Sequence, residues 1–460
     1  MKHITEYGAI YNDPSAAATN VQAFKDLMAY AQTGKPVSME CEGETLYVCQ
    51  DGSNAWAFLV PSNVDIHCKN TKLKLAPGAS SWTRLLSIGK GYSLSENIRI
   101  RGDLSLDGSV PEIASNNNEH MHCAFIFNVH GLEIDELIAF NARGDNVFIG
   151  GDNETTQFSD NIVIHRLKAH TAGRKNLVWH YADRVHIGTA TLDNTQGGAS
   201  LFGGTPDDTD RHCLDIEPDD YTGSRRFTAN IGYLSMKGSG LDAGSSIKAV
   251  DSDDFKLHVG SLNLDFVANG TVEPWIHNGG MISIGSMNVR GLNKPISPGH
   301  GAKLVVSEAT LSGNVLGSGL LRLKGTSPNK PSARFGNLSI ENVGHYAVQV
   351  LGGDLDIDHL QARSPSAPIV VNDSAVANQG VASIVRIGHA HTFNSGDSSV
   401  VSLVGKAGIK SCVNIGTLTV EDTRTVKPPI VYVNDTAINA NLRVGKINNI
   451  SGMTEMFYGY

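Results

Sequence analysis

The sequence predicts an all-β fold, a single-domain right-handed parallel β-helix, and three observations predict it. A short unit of apolar residue, Gly and alternating apolar segment recurs along the chain. No helical period falls between the recurrences. Glycine is plentiful, at 49 of 460 residues, whereas proline stands at 16 and charged residues at 18%.

The recurring unit reads "VHIGTATL", "NIGYLSM", "HVGSLNL", "SIGSMNV", "FGNLSI", "RIGHAHT", "NIGTLTV" and "RVGKINN", with glycines at Gly188, Gly232, Gly260, Gly285, Gly336, Gly388, Gly416 and Gly445. "VVSEATL" and "DIDHLQA" fill the missing registers at Ser307 and Asp358. Each period holds two or three short strands of two-residue alternation, separated by Gly, Asn, Asp or Ser turns. A strand of that kind cannot bury its apolar face alone. Coiling the chain so that each turn stacks on the next, about 4.8 Å away, pairs the backbone between coils and encloses one apolar interior. The repeat implies roughly eleven to thirteen coils over residues 41–450, in the right-handed sense usual for parallel crossovers.

An open coil exposes strand edges and core, so a cap is expected at each end. Residues 1–40 supply one. In "NVQAFKDLMAYAQTGKP", Val21, Phe24, Leu27, Met28 and Ala31 share one helical face. Thr19 or Asn20 can cap the start of this amphipathic helix, and Gly34-Lys35-Pro36 ends it. The tail 451–460, "SGMTEMFYGY", is aromatic; either its rings pack on the last coil or a partner subunit covers it.

The formal charge of −9 and the scattering of Lys and Arg exclude a phosphate-tracking surface, so nucleic acid is not an expected partner. No apolar run reaches the length of about 18 residues that a membrane helix needs, and the start has no apolar leader, so neither membrane insertion nor a signal peptide is expected. Cys41, Cys49, Cys68, Cys123, Cys213 and Cys412 show neither CxxC nor Cys/His ligand spacing and read as buried free thiols. "DSDDFK" at 251–256 begins like a calcium loop but lacks the rest of that pattern. No metal and no cofactor are expected.

The coils lengthen at about 120–255, and insertions of this kind in a solenoid build its binding face. Aligned by apolar positions, "CAFIF", "NVFIGG", "NLVWHY", "CLDIEP" and "SIKAVD" occupy one layer of successive coils. Ala124, Val147, Leu177, Leu214 and Ile247 then face inward, as do Ile126, Ile149, Trp179, Ile216 and Ala249. The outward rows are Phe125, Phe148, Val178, Asp215, Lys248 and Phe127, Gly150, His180, Glu217, Val250. Asp215 and Glu217 thus share an outward face, with Cα atoms about 6.6 Å apart. That spacing suits an acid and a water-activating base that cleave a glycosidic bond with inversion; a tighter pair would act with retention. Mutual repulsion is expected to keep one of them protonated. The bland alternative is a solvated Asp-x-Glu on a strand.

Asp145 in "ARGDNVFIGG" and Asp242 in "GSGLDAGSSIKAV" precede their strands, where they either reach the same groove or form turns. His122 and His212 hold matching pre-strand positions, orienting sugar hydroxyls or capping turns. Arg174, Arg211, Arg225 and Arg226 suit an anionic glycan, or are solvated loop arginines.

"EYGAIYNDPSAAATNVQAFKDLMAYAQTGKPVSME" resembles the opening segment of pectate-lyase-like right-handed β-helix proteins. "LSLDGSV", "AFNARGDNVFIGG", "AGRKNLVWHYADRVHIGTATLDNTQG" and "HCLDIEPDD" resemble the polygalacturonase-related branch that includes phage tailspike depolymerases. Cys213 and Leu214 replace the first two residues of its Gly-Ile-Asp-Ile-Glu-Pro strand, and "GDN" at 144–146 stands where Gly-Asp-Asp is usual. The resemblance covers roughly residues 5–265. It implies an endo-acting glycoside hydrolase that depolymerises a bacterial capsule, exopolysaccharide or O-antigen. It also implies a homotrimer, and a place on a phage tail or outside the cell.

In that reading Asp215 and Glu217 are acid and base or nucleophile, with Asp242, Asp145 and His180 assisting and His122, His212, Arg174, Arg211 and Phe148 lining the groove. The alternatives are a polysaccharide lyase, with Lys248 and Arg174 or Arg211 as its cations, and a non-catalytic glycan-binding spike or adhesin.

Overall fold

Each coil contributes one long strand and one short strand, and each kind joins its own parallel sheet. The computed structural model describes residues 1–78, 83–89, 93–109, 120–152, 156–193, 212–217, 227–238, 247–249, 255–266, 275–325, 329–372, 381–393, 399–404, 409, 411–421, 430–433, 441–449 and 457–459. Among the described residues, fourteen long strands of nine to thirteen residues run from Val64–Leu75 to Asn441–Asn449. The repeat glycine marks only the coils from Gly188 onward, so counting from it undercounts the coils before that point. The architecture is the expected all-β parallel β-helix with one N-terminal helix.

The chain divides into two compact units, Met1–Ser246 with Asp254–His258, and Ile247–Asp253 with Val259–Tyr460. In the first, one core row is isoleucine on six successive rungs: Ile66, Ile100, Ile134, Ile164, Ile187 and Ile231 are in register and buried. In the second, the equivalent row is Ile284, Val306, Phe335, Ile357, Ile387 and Ile415. Stacking like on like fills the interior, and each rung contributes about 1.5–3 kcal/mol of apolar burial. The repeat glycine lies where adjacent long strands approach closely: a Cβ on Gly416 would fall 2.6 Å from the Gly388 carbonyl oxygen.

The helix Ala17–Ala31 buries Val21, Phe24, Leu27, Met28 and Ala31, as the periodicity requires, and Phe24 stacks on Phe58 with ring centroids 3.9 Å apart. Its start differs from expectation. A 3-10 turn, Pro14–Ala16, precedes it and is capped by Asp13, whose carboxylate accepts from Ser15 N–H at 2.9 Å. Thr19 and Asn20 lie inside the helix. Asn20 is fully buried and ties down the backbone of Ile10 and Tyr47 instead. At the other end Phe457–Gly459 continues the short-strand sheet by pairing with Val431–Val433.

None of the six cysteines is in a disulfide; Cys41, Cys68, Cys123 and Cys213 are buried as expected, whereas Cys49 and Cys412 are only partly buried. Cys123 and Cys213 occupy the same pre-strand place as Asn146 and Asn176. Their thiols donate to Phe140 O and Lys237 O, as the Asn146 amide donates to His170 O. No helix among the described residues is long and apolar enough to cross a membrane.

Candidate functional site

Register in the first unit places the chemistry-bearing residues in three columns. Ala124, Val147, Leu177 and Leu214 pair in sequence, as do Ile126, Ile149, Trp179 and Ile216, which is the expected inward layer. Immediately before these strands, backbone hydrogen bonds align Arg84, His122, Asp145, Lys175 and His212 on five successive coils. A second column is Ser87, Phe125, Phe148, Val178 and Asp215. The third is Phe127, Gly150, His180 and Glu217.

The first column is set by the residue that follows it. Asn146 and Asn176 are buried; the Asn146 amide donates to Asn176 Oδ1 and to His170 O, both at 2.8 Å. This amide ladder fixes the turn, and the side chain one residue earlier, Asp145 or Lys175, is aimed across the short strands. Lys175 then crosses to the next coil. Its Nζ lies 2.7 Å from Asp215 Oδ2 and 2.5 Å from Glu217 Oε1. Burial alone would discharge this ammonium, yet the Asp215, Asp145 and Glu217 carboxylates outweigh it and raise its pKa above the ordinary lysine value.

Two expectations for Asp215 and Glu217 are corrected here. Asp215 is not solvent-facing: it is 0% exposed, and Lys175 is 1% exposed, whereas the Glu217 side chain keeps 20%. Nor do the two carboxylates splay apart. One ammonium touches an oxygen of each and bridges the pair. The cation between them also removes the expected like-charge confrontation.

Asp145 is the carboxyl whose pKa is pushed up, to about 6, chiefly by burial; Arg174 and Lys175 pull it down and Glu217 pushes it up. Its Oδ2 lies 3.3 Å from His122 Nδ1, and its Oδ1 has no hydrogen-bond partner among the described residues. Burial, reinforced by Arg84, holds His122 neutral, well below the usual histidine value. Burial likewise lowers His180 to about 4, against the opposing pull of Glu217. Both imidazoles are therefore neutral near pH 7.

Aromatic rings fill the ground beside these groups. Phe125 stacks on Phe127 and Phe148 at 4.8 and 5.2 Å, and the Arg84 guanidinium lies 3.7 Å above the Phe125 ring. Phe125 and Val178, expected to be outward, are thereby covered and buried. The Phe148 ring leans over Gly150, where a Cβ would fall 2.6 Å from Phe148 Cε1. Phe127, Phe148, His180 and Glu217 remain partly accessible.

Of the remaining expected site residues, His212 is buried at the end of the first column, and Arg174 is half-buried beside Asp145. Lys248 lies in the second unit, on the strand Ile247–Ala249 opposite Ile276. Asp242, Arg211, Arg225, Arg226, Val250 and the start of "DSDDFK" lie outside the described residues. Lys175 and Arg84 were missed, although their offset from the strand, the same as that of Asp145 and His122, would have found them.

One grouping in the first unit, Glu133, Asp135 and His165, has ligand atoms within 4.8 Å of one another. Arg99 holds Glu133 at 2.8 Å and the Gly102 N–H donates to Asp135 at 2.8 Å, so protein partners already occupy these carboxylates.

No family model and no curated protein matches the chain. Two solved structures are similar to it in part. The Agl-KA catalytic domain aligns over 96% of this chain and 68% of its own, at 12% identity and a TM-score of 0.41. The A-module of the Azotobacter vinelandii mannuronan C-5 epimerase AlgE6 aligns over 97% and 99%, at 11% identity and a TM-score of 0.37.

Proposed function

We propose that the chain is a polysaccharide-cleaving glycoside hydrolase, acting on a bacterial surface glycan at the Asp145, Lys175, Asp215 and Glu217 cluster. The observation that carries this is one electrostatic cluster that holds two unlike carboxyls, buried Asp145 and partly exposed Glu217, beside accessible aromatic rings. Asp145 has a pKa of about 6 and so holds a proton through mildly acid pH. Glu217 is the partly exposed carboxylate, bound to a cation.

Asp145 is only 2% exposed, so the bound sugar must displace the side chains that cover it before Asp145 gives its proton to the glycosidic oxygen as the C–O bond breaks. Glu217 either takes a proton from the water that attacks the anomeric carbon, or attacks that carbon itself to give a glycosyl ester, which water deprotonated by Asp145 then cleaves to free Glu217. Lys175 holds Glu217 in place, and buried Asp215 positions Lys175. Phe127 and Phe148 offer apolar faces to the sugar ring, and neutral His180 meets its hydroxyls.

A lyase would need a cation facing a uronate carboxylate beside its base, and Lys175, the charged ammonium of this cluster, is instead held against Asp215 and Glu217. The trimeric, tail-borne state belongs to the same proposal and rests on the resemblance in sequence. The test is incubation with a panel of bacterial capsules, exopolysaccharides and O-antigens, followed by size-exclusion chromatography and mass spectrometry. A hydrolase shortens one of them without generating ultraviolet-absorbing ends, and Glu217→Gln stops the shortening. Ultraviolet-absorbing products mean a lyase, and binding without shortening means an adhesin.

A further inference from the structure

The long strands of the second unit carry a groove that the cleavage reading does not use. It has a volume of about 420 Å³ and lies across Ser332–Asn342, Gly353–Arg363, Ser383–Phe393 and Cys412–Glu421. Register puts Asn337, His359, His389 and Thr417 on one outward row, and Ser339, Gln361, His391 and Thr419 on the next. The His359 and His389 rings stack at 5.1 Å, with planes 7° apart.

No lining residue is Asp, Glu, Lys or Arg. Fixed charges stand at the rim of the groove: Glu308 and Lys446 continue the first row beyond Asn337 and Thr417, Arg363 lies 5.4 Å from the Phe393 ring, Glu421 is 3.3 Å from His391, and Arg386–Asp356 and Arg334–Asp358 pair at 3.0 and 4.0 Å.

The chemistry of that lining is specific. Amides, hydroxyls and imidazoles can each both donate and accept hydrogen bonds, whereas ammonium and guanidinium only donate and carboxylates only accept. A surface on which every polar group does both matches a ligand whose groups also do both, and sugar hydroxyls are such groups. A phosphate or uronate would instead need a donor-only cation, and a cationic ligand an acceptor-only carboxylate. The two rows repeat at the spacing of the coils, about 4.8 Å, so the groove meets an extended chain with successive equivalent contacts. Its volume lies within the range of small-ligand sites, roughly 300–1,000 Å³.

We propose that this groove is a second, non-catalytic binding site for an uncharged stretch of glycan. The site is independent of the cleavage cluster and stands or falls apart from it.

The test uses the full chain carrying Glu217→Gln, so that no probe is consumed, with maltohexaose, cellohexaose and mannohexaose as neutral probes and hexagalacturonate as the charged one. Titration calorimetry and the imidazole proton resonances are read together. The expected result is binding of at least one neutral hexasaccharide, with shifted resonances for His359, His389 and His391. His389→Ala and Gln361→Ala, each added separately, should weaken it by about tenfold or more while leaving the denaturation midpoint in place. The proposal is overturned if no neutral probe binds, if hexagalacturonate alone binds, or if neither groove substitution changes the affinity.

Discussion

The short-strand face of the first unit and the long-strand groove of the second use the same device with opposite electrostatics. In both, register stacks one side chain per coil into columns. In the first unit the columns bring a cation and three carboxyls together with almost no solvent, and Asp215 and Lys175 are compensated only by one another and their neighbours. In the second, the stretch of the rows that lines the groove carries no Asp, Glu, Lys or Arg and is exposed or half-buried. A β-helix separates these cases by what occupies adjacent rungs, because stacking fixes the neighbours while the rest of the fold is unchanged. It follows that chemistry and stability are coupled in the first region and uncoupled in the second.

The sharpest way to break that contrast is Lys175→Met. Removing the ammonium leaves buried Asp215 without its counter-charge, which costs about 3–5 kcal/mol. The midpoint in denaturant should fall accordingly, and adding Asp215→Asn should restore part of the loss. A single variant as stable as the parent would mean that the cluster is not electrostatically closed.

Glu217→Gln comes next and separates the accessible member from the buried one. Cleavage of the glycan should drop by ~10²–10⁴-fold, with the denaturation midpoint close to that of the parent. A large stability loss with little change in cleavage would assign Glu217 a structural role and move the chemistry elsewhere.

These two substitutions also mark what was legible in the sequence. Strand alternation and the spaced glycines are enough to find the coils from Gly188 onward and the neighbours of Asp215 in its layer, because each follows from a period of two and a fixed stacking. Alternation tells which residues share a face. It does not tell whether that face is covered, and so Asp215 was expected in solvent.

The covering comes from Lys175, whose side chain is long enough to cross a coil, and a column of local contacts does not register that reach. A signal existed nonetheless: Lys175 precedes Asn176 as Asp145 precedes Asn146. The start of the N-terminal helix was misplaced for a related reason. Asn20 fits a capping pattern, but the backbone of Ile10 and Tyr47 gives its amide better partners.

The pH dependence of stability sharpens the comparison within the first region. Asp145 has a folded pKa of about 6, above its ordinary value of 3.8, so the stability it contributes is present below pH 4 and is lost as pH rises through 6. His180 is lowered to about 4 from 6.5, and His122 is lowered as well, so their contributions are present above pH 6.5 and are lost as pH falls. Between pH 4 and 6 Asp145 therefore offsets one histidine. Asp145→Asn should steepen the rise of stability with pH in that window by about 1.4 kcal/mol per pH unit. Chemical denaturation at several pH values reads this directly, and parallel curves for parent and variant would remove Asp145 from the titrating cluster.

The smallest expected effect is the one that isolates the second region. His389 and Gln361 are exposed, and neither balances a buried charge. Replacing either with Ala deletes contacts on an open face, where substitutions usually change stability by less than about 0.5 kcal/mol. The His359–His389 stack adds little because water solvates the imidazole edges in its place. Thermal and denaturant midpoints of His389→Ala and Gln361→Ala should therefore match the parent while glycan affinity falls. Were either substitution to cost several kcal/mol, the groove would be a structural seam like the Lys175 cluster, and its charge-free lining would have to be explained by packing between coils rather than by an outside ligand.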